Sequence, residues 1–90
     1  MLRVMSTQTQ VRTRTQRAVE ERRHQRDLPD PMERRHLRKQ AGLTLRDFGK
    51  VLGVSGATVH YWESGKRQPS LEHARTYRTA LDELRKQGPQ

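Results

Sequence analysis

Apolar side chains recur at helical spacing in four groups along this chain. Leu37 and Ala41 stand four apart, with Met32 near the start of the same segment, and predict a first core helix from about Pro31 to Ala41. That face is thin, because Arg34, Arg35 and Arg38 crowd it. Phe48, Val51 and Leu52 predict a second helix from Thr44 to near Leu52. Val59 and Trp62, three apart, face inward from a third, roughly Gly56 to Ser64. Leu71, Ala74, Tyr77, Leu81 and Leu84 follow at intervals of three or four and form the longest clean stripe. Its early part covers a core. Its later part, Leu81 and Leu84, is expected to lack an intramolecular surface.

The breaks between these groups carry helix signals. In "LPDP", residues 28–31, two prolines restrict the backbone, Asp30 caps the first core helix and Pro31 takes its first position. Gly42 suits a left-handed helix end, and Leu43, alone in that link, plugs the core. Thr44 and Asp47 have the spacing of a capping box. Gly49 costs its helix about 1 kcal/mol against alanine and gains meaning if another helix crosses close by. Gly53 ends the second helix, Val54 fills the link and Ser55 caps the third. Two short helices joined in this way form a helix-turn-helix. Ser64 and Gly65 close the third helix, and Ser70 after Pro69 caps the last one. The chain should end in a frayed tail over 87–90.

The first 30 residues read differently. Residues 1–15 alternate Thr, Gln, Val and Arg, a strand pattern with no second strand to pair with, and so suggest a flexible basic arm. Residues 16–27 offer only Ala18 and Val19 as apolar anchors, which makes them a helix conditional on a partner. The expected organisation is an arm over 1–30 and a helix-turn-helix domain over 31–86. The fold class is all-α, a small bundle of four to five helices with a basic N-terminal extension.

Composition narrows the partners. The 90 residues are 30% hydrophobic and carry a formal net charge of +9, enough for one small core and a polyanion-seeking surface. DNA, RNA and an anionic membrane face all fit that charge. Without cysteine there is no disulfide or thiolate metal site. No apolar run reaches membrane-spanning length. The first residues lack the apolar centre of a secretory signal, though they are basic and hydroxyl-rich in the manner of a mitochondrial presequence. His24, His36, His60 and His73 form no metal-ligand pattern, and no phosphate-cradling glycine loop is present. Neither an RNA-recognition nor a single-strand stacking motif appears. The expectation is a non-enzyme with no cofactor, metal or small-molecule ligand, and the lack of cysteine suits a reducing cytoplasm.

The run "RHLRKQAGLTLRDFGKVLGVSGATVHYWESGKRQPS" resembles the Cro/C1-type (XRE-like) helix-turn-helix family of phage and bacterial regulators, over roughly residues 33–80. The resemblance implies a lambda-repressor-like bundle with residues 55–63 as a recognition helix in the DNA major groove. It implies a supporting salt bridge between Arg38 and Glu63. It places Ser55, Gly56, Ala57, His60 and Tyr61 toward base edges or the nearby backbone, and Thr58, Ser64, Lys66 and Arg67 toward phosphates. Leu45 stands where the family often has a phosphate-binding glutamine. Gly56 and Ala57 stand where long polar readers are common, and one long C-terminal helix replaces the family's last two.

The residue chemistry agrees with that reading and leaves alternatives at several positions. His60 can exchange hydrogen bonds with base edges or be a solvated surface histidine. Tyr61 can reach phosphate or cover the rim of the core. Ala57 can touch a thymine methyl, and Gly56 can allow close approach. Lys66 and Arg67 suit phosphates, which position without reading sequence, or are a solvated charge pair. Arg12, Arg14 and Arg17 of the arm can follow a minor groove or be a spacer. The function expected is a sequence-specific double-stranded DNA-binding transcriptional regulator, a phage or bacterial repressor, dimeric through its C-terminal helix or on DNA. The alternative is an antitoxin-like interaction module that docks a partner through Tyr77, Leu81 and Leu84.

Overall fold

The breaks in the apolar pattern are the helix ends of the structure, a computed structural model that describes residues 7–88, with side chains from Thr9 onward. The helices are α1 (Thr7–Arg26), α2 (Pro31–Gln40), α3 (Leu45–Leu52), α4 (Gly56–Ser64) and α5 (Leu71–Gln87). Each of the last four begins on a side-chain cap. Asp30 accepts from the Glu33 amide, Thr44 and Asp47 close a reciprocal capping box, Ser55 accepts from the Thr58 amide and Ser70 from the His73 amide. Such a cap contributes about 1 kcal/mol by satisfying an orphan amide. The amide and hydroxyl of Thr44 hold the Asp47 carboxyl below the usual carboxylate range. Residues 89 and 90 of the expected tail lie outside the described residues, as do residues 1–6.

The core is Leu28, Leu37, Phe48, Leu52, Val59, Trp62, Ala74, Tyr77 and Leu81, with Leu43, Leu45, Val54, Ala80 and Leu84 packed against it. Tyr77 sits at its centre, with the Phe48 ring edge-on at 5.9 Å and the Trp62 ring at 5.1 Å. Three expectations need correction. Leu81 is 1% exposed and Leu84 is half-buried, so the later stripe of α5 is used internally. The reason is that α5 runs back along α2, where Arg85 of its last turn pairs with Glu33 of α2's first turn at 2.7 Å. Met32 is 80% exposed and Val51 58% exposed, so neither supplies core surface.

Arg34, one of the arginines that crowd the Leu37 face of α2, is buried there. Its Nε donates to the Pro29 carbonyl at 2.6 Å and its Nη1 to the Trp62 carbonyl at 3.1 Å. The guanidinium lies 5.5 Å from the centroid of the Tyr77 ring. Backbone carbonyls and an aromatic face together satisfy a charge that would otherwise be costly to bury.

Residues 7–26 form a helix packed on α5, although the helix is polar all round. Apolar content is a poor guide here, because polar contacts make the junction. Gln25 Nε2 donates to the Pro69 carbonyl at 2.8 Å, and Arg78 reaches Asp27 at 3.3 Å and His24 Nδ1 at 3.2 Å. Leu28, just past the helix, enters the core. Within α1 the Thr13 and Thr15 hydroxyls donate to carbonyls one turn back, so the alternating threonines are compatible with helix. No described helix is long and apolar enough to cross a membrane.

The Tyr77 hydroxyl is buried with no hydrogen-bond partner. Burial pushes its pKa up to about 12, outweighing the pull of the nearby Arg34 charge. The unfolded tyrosine loses its proton near pH 10 and the folded one only near 12. The contribution of Tyr77 to stability is therefore complete below pH 10 and declines as pH rises toward 12. Tyr77→Phe is expected to lose that decline, and at neutral pH to match or exceed the parent by about 1 kcal/mol. Urea unfolding of both proteins at pH 7, 10 and 11.5 checks this. A parent and variant falling in parallel above pH 10 would rule it out.

Candidate nucleic-acid interface

The turn between α3 and α4 depends on two glycines that face opposite backbones. A Cβ on Gly49 would lie 2.6 Å from the Val54 carbonyl oxygen and 3.1 Å from both the Gly56 nitrogen and the Ser55 carbonyl carbon. A Cβ on Gly56 would lie 3.2 Å from the Arg46 nitrogen and 3.3 Å from its Cα. The close approach that gives Gly49 its meaning is therefore the turn into α4, with the first residue of α4 beside it. Gly53, with φ 75°, makes the reversal in the left-handed region that favours glycine, and the Val54 amide donates to the Gly49 carbonyl at 2.9 Å. Gly56 thus serves the α3–α4 contact, since its Cβ direction points into α3 instead of outward.

The far side of α4 is fixed by charge. Arg38 and Glu63 pair through two bonds, Nε to Oε2 at 2.7 Å and Nη2 to Oε1 at 3.0 Å, with side chains only 8% and 3% exposed. Arg38 Nη1 also donates to the Leu43 carbonyl at 2.7 Å, which ties the α2–α3 link to α4. Val59 and Trp62 supply the buried face of α4.

The outward side chains of α4 are Ala57, His60 and Ser64, all exposed, with Thr58 and Tyr61 half-buried. Ser55 accepts from the Thr58 amide at 3.1 Å, and the two hydroxyls lie 2.9 Å apart, so both are engaged at the helix start. Tyr61 leans toward the following loop. The Arg67 guanidinium lies 5.1 Å from the centroid of its ring, and the Tyr61 carbonyl accepts from the Arg67 amide at 3.3 Å and from the Ser64 hydroxyl at 3.2 Å. Lys66 is exposed beside them. The structure therefore gathers Ser55, Ala57, Thr58, His60, Tyr61, Ser64, Lys66 and Arg67 on one side of the molecule around α4. Arg12, Arg14 and Arg17 are exposed on α1, which packs on α5, whereas α4 packs chiefly on α3 and α2.

Sequence reasoning left Arg35 out of the site. It is exposed on α2 and lines a cleft of about 130 Å³ with Arg38, Leu45, His60, Glu63 and Ser64. Its position one residue after the buried Arg34 and three before the buried Arg38 was the available signal. Among the described residues no group of three His, Asp or Glu side chains is placed to hold a metal ion.

An α3–turn–α4 unit locked by glycines, with a capped and outward-facing second helix, defines a helix-turn-helix protein. The chain belongs to the helix-turn-helix family, which it matches over residues 35–85. That span holds most of α2 and all of α3 and α4, so α1 stands outside it. The chain is also similar to YiaG of Escherichia coli strain K12, described as an uncharacterized HTH-type transcriptional regulator. The two are 56% identical over 34 residues, 38% of this chain and 35% of that protein. YiaG of E. coli O6:H1 and of E. coli O157:H7 match to the same extent. The chain thus covers about a third of the length of these relatives. No solved structure matches it significantly.

Proposed function

We propose that this protein is a sequence-specific double-stranded DNA-binding transcriptional regulator of the Cro/C1 (XRE-like) type, acting as a repressor with α4 in the major groove. The observation that carries the reading is the outward face of α4, rigidly presented by the glycine crossing and the Arg38–Glu63 pair and edged by Lys66 and Arg67. Similarity to HTH-type transcriptional regulators supports it. A major groove admits one helix and presents a different donor and acceptor pattern for each base pair. Of the outward side chains, His60 has the ring nitrogens to read that pattern, while Ala57 suits a thymine methyl. With so few direct readers, discrimination draws on DNA shape and on arginines entering the minor groove. Arg12, Arg14 and Arg17 on α1 are the residues for that task. Two copies related by symmetry would read half-sites about 34–36 Å apart. The competing partner-docking reading relied on Tyr77, Leu81 and Leu84, of which the first two are buried in the core and the third is half-buried against it.

Selection from genomic DNA with the full chain, followed by salt-dependent anisotropy on the best site, tests the proposal. A recurring motif preferred over random duplex is the expected result. Salt-sensitive binding that is indifferent to sequence would replace a regulator with a non-specific architectural role.

Tyr61 acts in this reading through Arg67, as the platform that holds the guanidinium in place. Tyr61→Ala and Arg67→Gln are each expected to weaken duplex binding a few-fold, with the double variant no weaker than Arg67→Gln alone. Tyr61→Phe keeps the ring and should bind like the parent. Additive losses across the cycle would instead put Tyr61 in direct contact with DNA.

A further inference from the structure

The segment that forms α4, "GATVHYWES", contains no lysine or arginine. A helix with its side chains is about 10–12 Å across and the major groove about 12 Å wide. A helix seated there has a phosphate wall on each side, so a free cation at either flank is attracted to it. Residues advance about 100° each around a helix. On that count Ala57 and Ser64 form the middle of the outward face of α4, Tyr61 borders one flank and His60 borders the other, next to Glu63. The Tyr61 flank is where Arg67 stacks. The His60 flank opens on the cleft that α2 shares with α4, lined by His60, Glu63, Ser64 and Arg35.

Two positive charges line that cleft, and they differ. Arg38 is buried and neutralised by Glu63. Arg35 is exposed and has no hydrogen-bond or ion-pair partner among the described residues. Leu45, at the same cleft, offers no polar group from its side chain. The uncompensated charge on this flank therefore comes from α2.

Resting on the DNA-binding reading above, we infer that Arg35 is a phosphate-binding residue. It and Arg67 form a two-sided clamp that holds the cation-free helix α4 between the two backbones of a duplex. His60, at the mouth of the Arg35 cleft, is then positioned toward base edges by a contact made from another helix.

The test is the salt dependence of anisotropy on one selected duplex and on random duplex. Each neutralised phosphate contributes about 0.9 to the slope of log K against log salt. Arg35→Gln and Arg67→Gln are each expected to lower the slope by about 0.9, and the double variant by about twice that. Between 50 and 200 mM salt this makes the parent's fall in affinity about threefold steeper than that of a single variant. The order of preference among duplex sequences should not change, because a phosphate contact carries no sequence information. Arg35→Lys restores a point charge and should restore the slope. Lys86→Gln, an exposed change in the last turn of α5 and outside the proposed interface, should leave the slope at the parent value. A parental slope in Arg35→Gln overturns the clamp while the DNA-binding reading stands, and so does a loss that Arg35→Lys fails to restore. An equal loss in Lys86→Gln shows that the slope reports overall charge and not the flanks of α4, and overturns it too. A parent that binds no duplex even at low salt overturns both.

Discussion

Glu63→Ala should lower the unfolding free energy by about 3–5 kcal/mol, the range for breaking one side of a buried ion pair. The change leaves Arg38 charged at 8% side-chain exposure, with only the Leu43 carbonyl as a partner. Small domains have about 5–15 kcal/mol in all, so the variant approaches unfolding at room temperature. The pair itself is worth far less than the damage done by splitting it, because both charges were desolvated to make it. Arg38→Met combined with Glu63→Leu should therefore recover most of the loss. Urea titration of the parent and both variants measures the damage and its recovery. A Glu63→Ala cost within about 0.5 kcal/mol, the range of surface changes, would mean that the pair is solvated in solution.

Gly49→Ala is the second large effect. On an open helix the change would add about 1 kcal/mol of stability. Here the new Cβ meets the Val54 carbonyl oxygen at 2.6 Å, and that atom belongs to backbone, which cannot rotate aside. Overpacking of this kind costs about 1–3 kcal/mol, so the net change should be destabilising. The relief available is a shift of α4 away from α3, which moves His60 and Ala57 relative to Lys66 and Arg67. Thermal melts and duplex anisotropy on the same variant should both report a loss. Lys50→Ala, next along the chain and exposed, is the control expected to stay within about 0.5 kcal/mol. A Gly49→Ala variant as stable as the parent would show that the turn is slack.

Most of the helical framework was legible in local chemistry. The caps at Asp30, Thr44, Ser55 and Ser70 sit where their residue types and spacing put them, because N-capping is decided within three residues. The glycine crossing was half legible. Gly49 stood out as a cost to its own helix, but its opposite number and the atom it faces belong to a segment five to seven residues on and to the geometry of the turn. Three features could not be read from composition. Arg34 lies on an apolar face and is polar, and its burial depends on carbonyls of Pro29 and Trp62 that are set by other parts of the fold. Leu84 needed the return of α5 along α2 to find a surface. The docking of α1 rests on Gln25, Asp27 and His24, residue types that carry no hydrophobic signal at all. Within the site, Arg35 was passed over because its neighbours across the cleft lie at least 25 positions later in the chain, apart from Arg38 and Leu45.

The contact between α3 and α4 bears on how fast the unit can meet a ligand. Where two helices touch through glycines, no side-chain rotamers lie between them to be frozen later. Part of the ordering entropy that association normally costs is then already spent in the free protein. An encounter of correct orientation needs no folding step in this unit, so its rate should follow diffusion and long-range charge, falling as added salt shortens the Debye length.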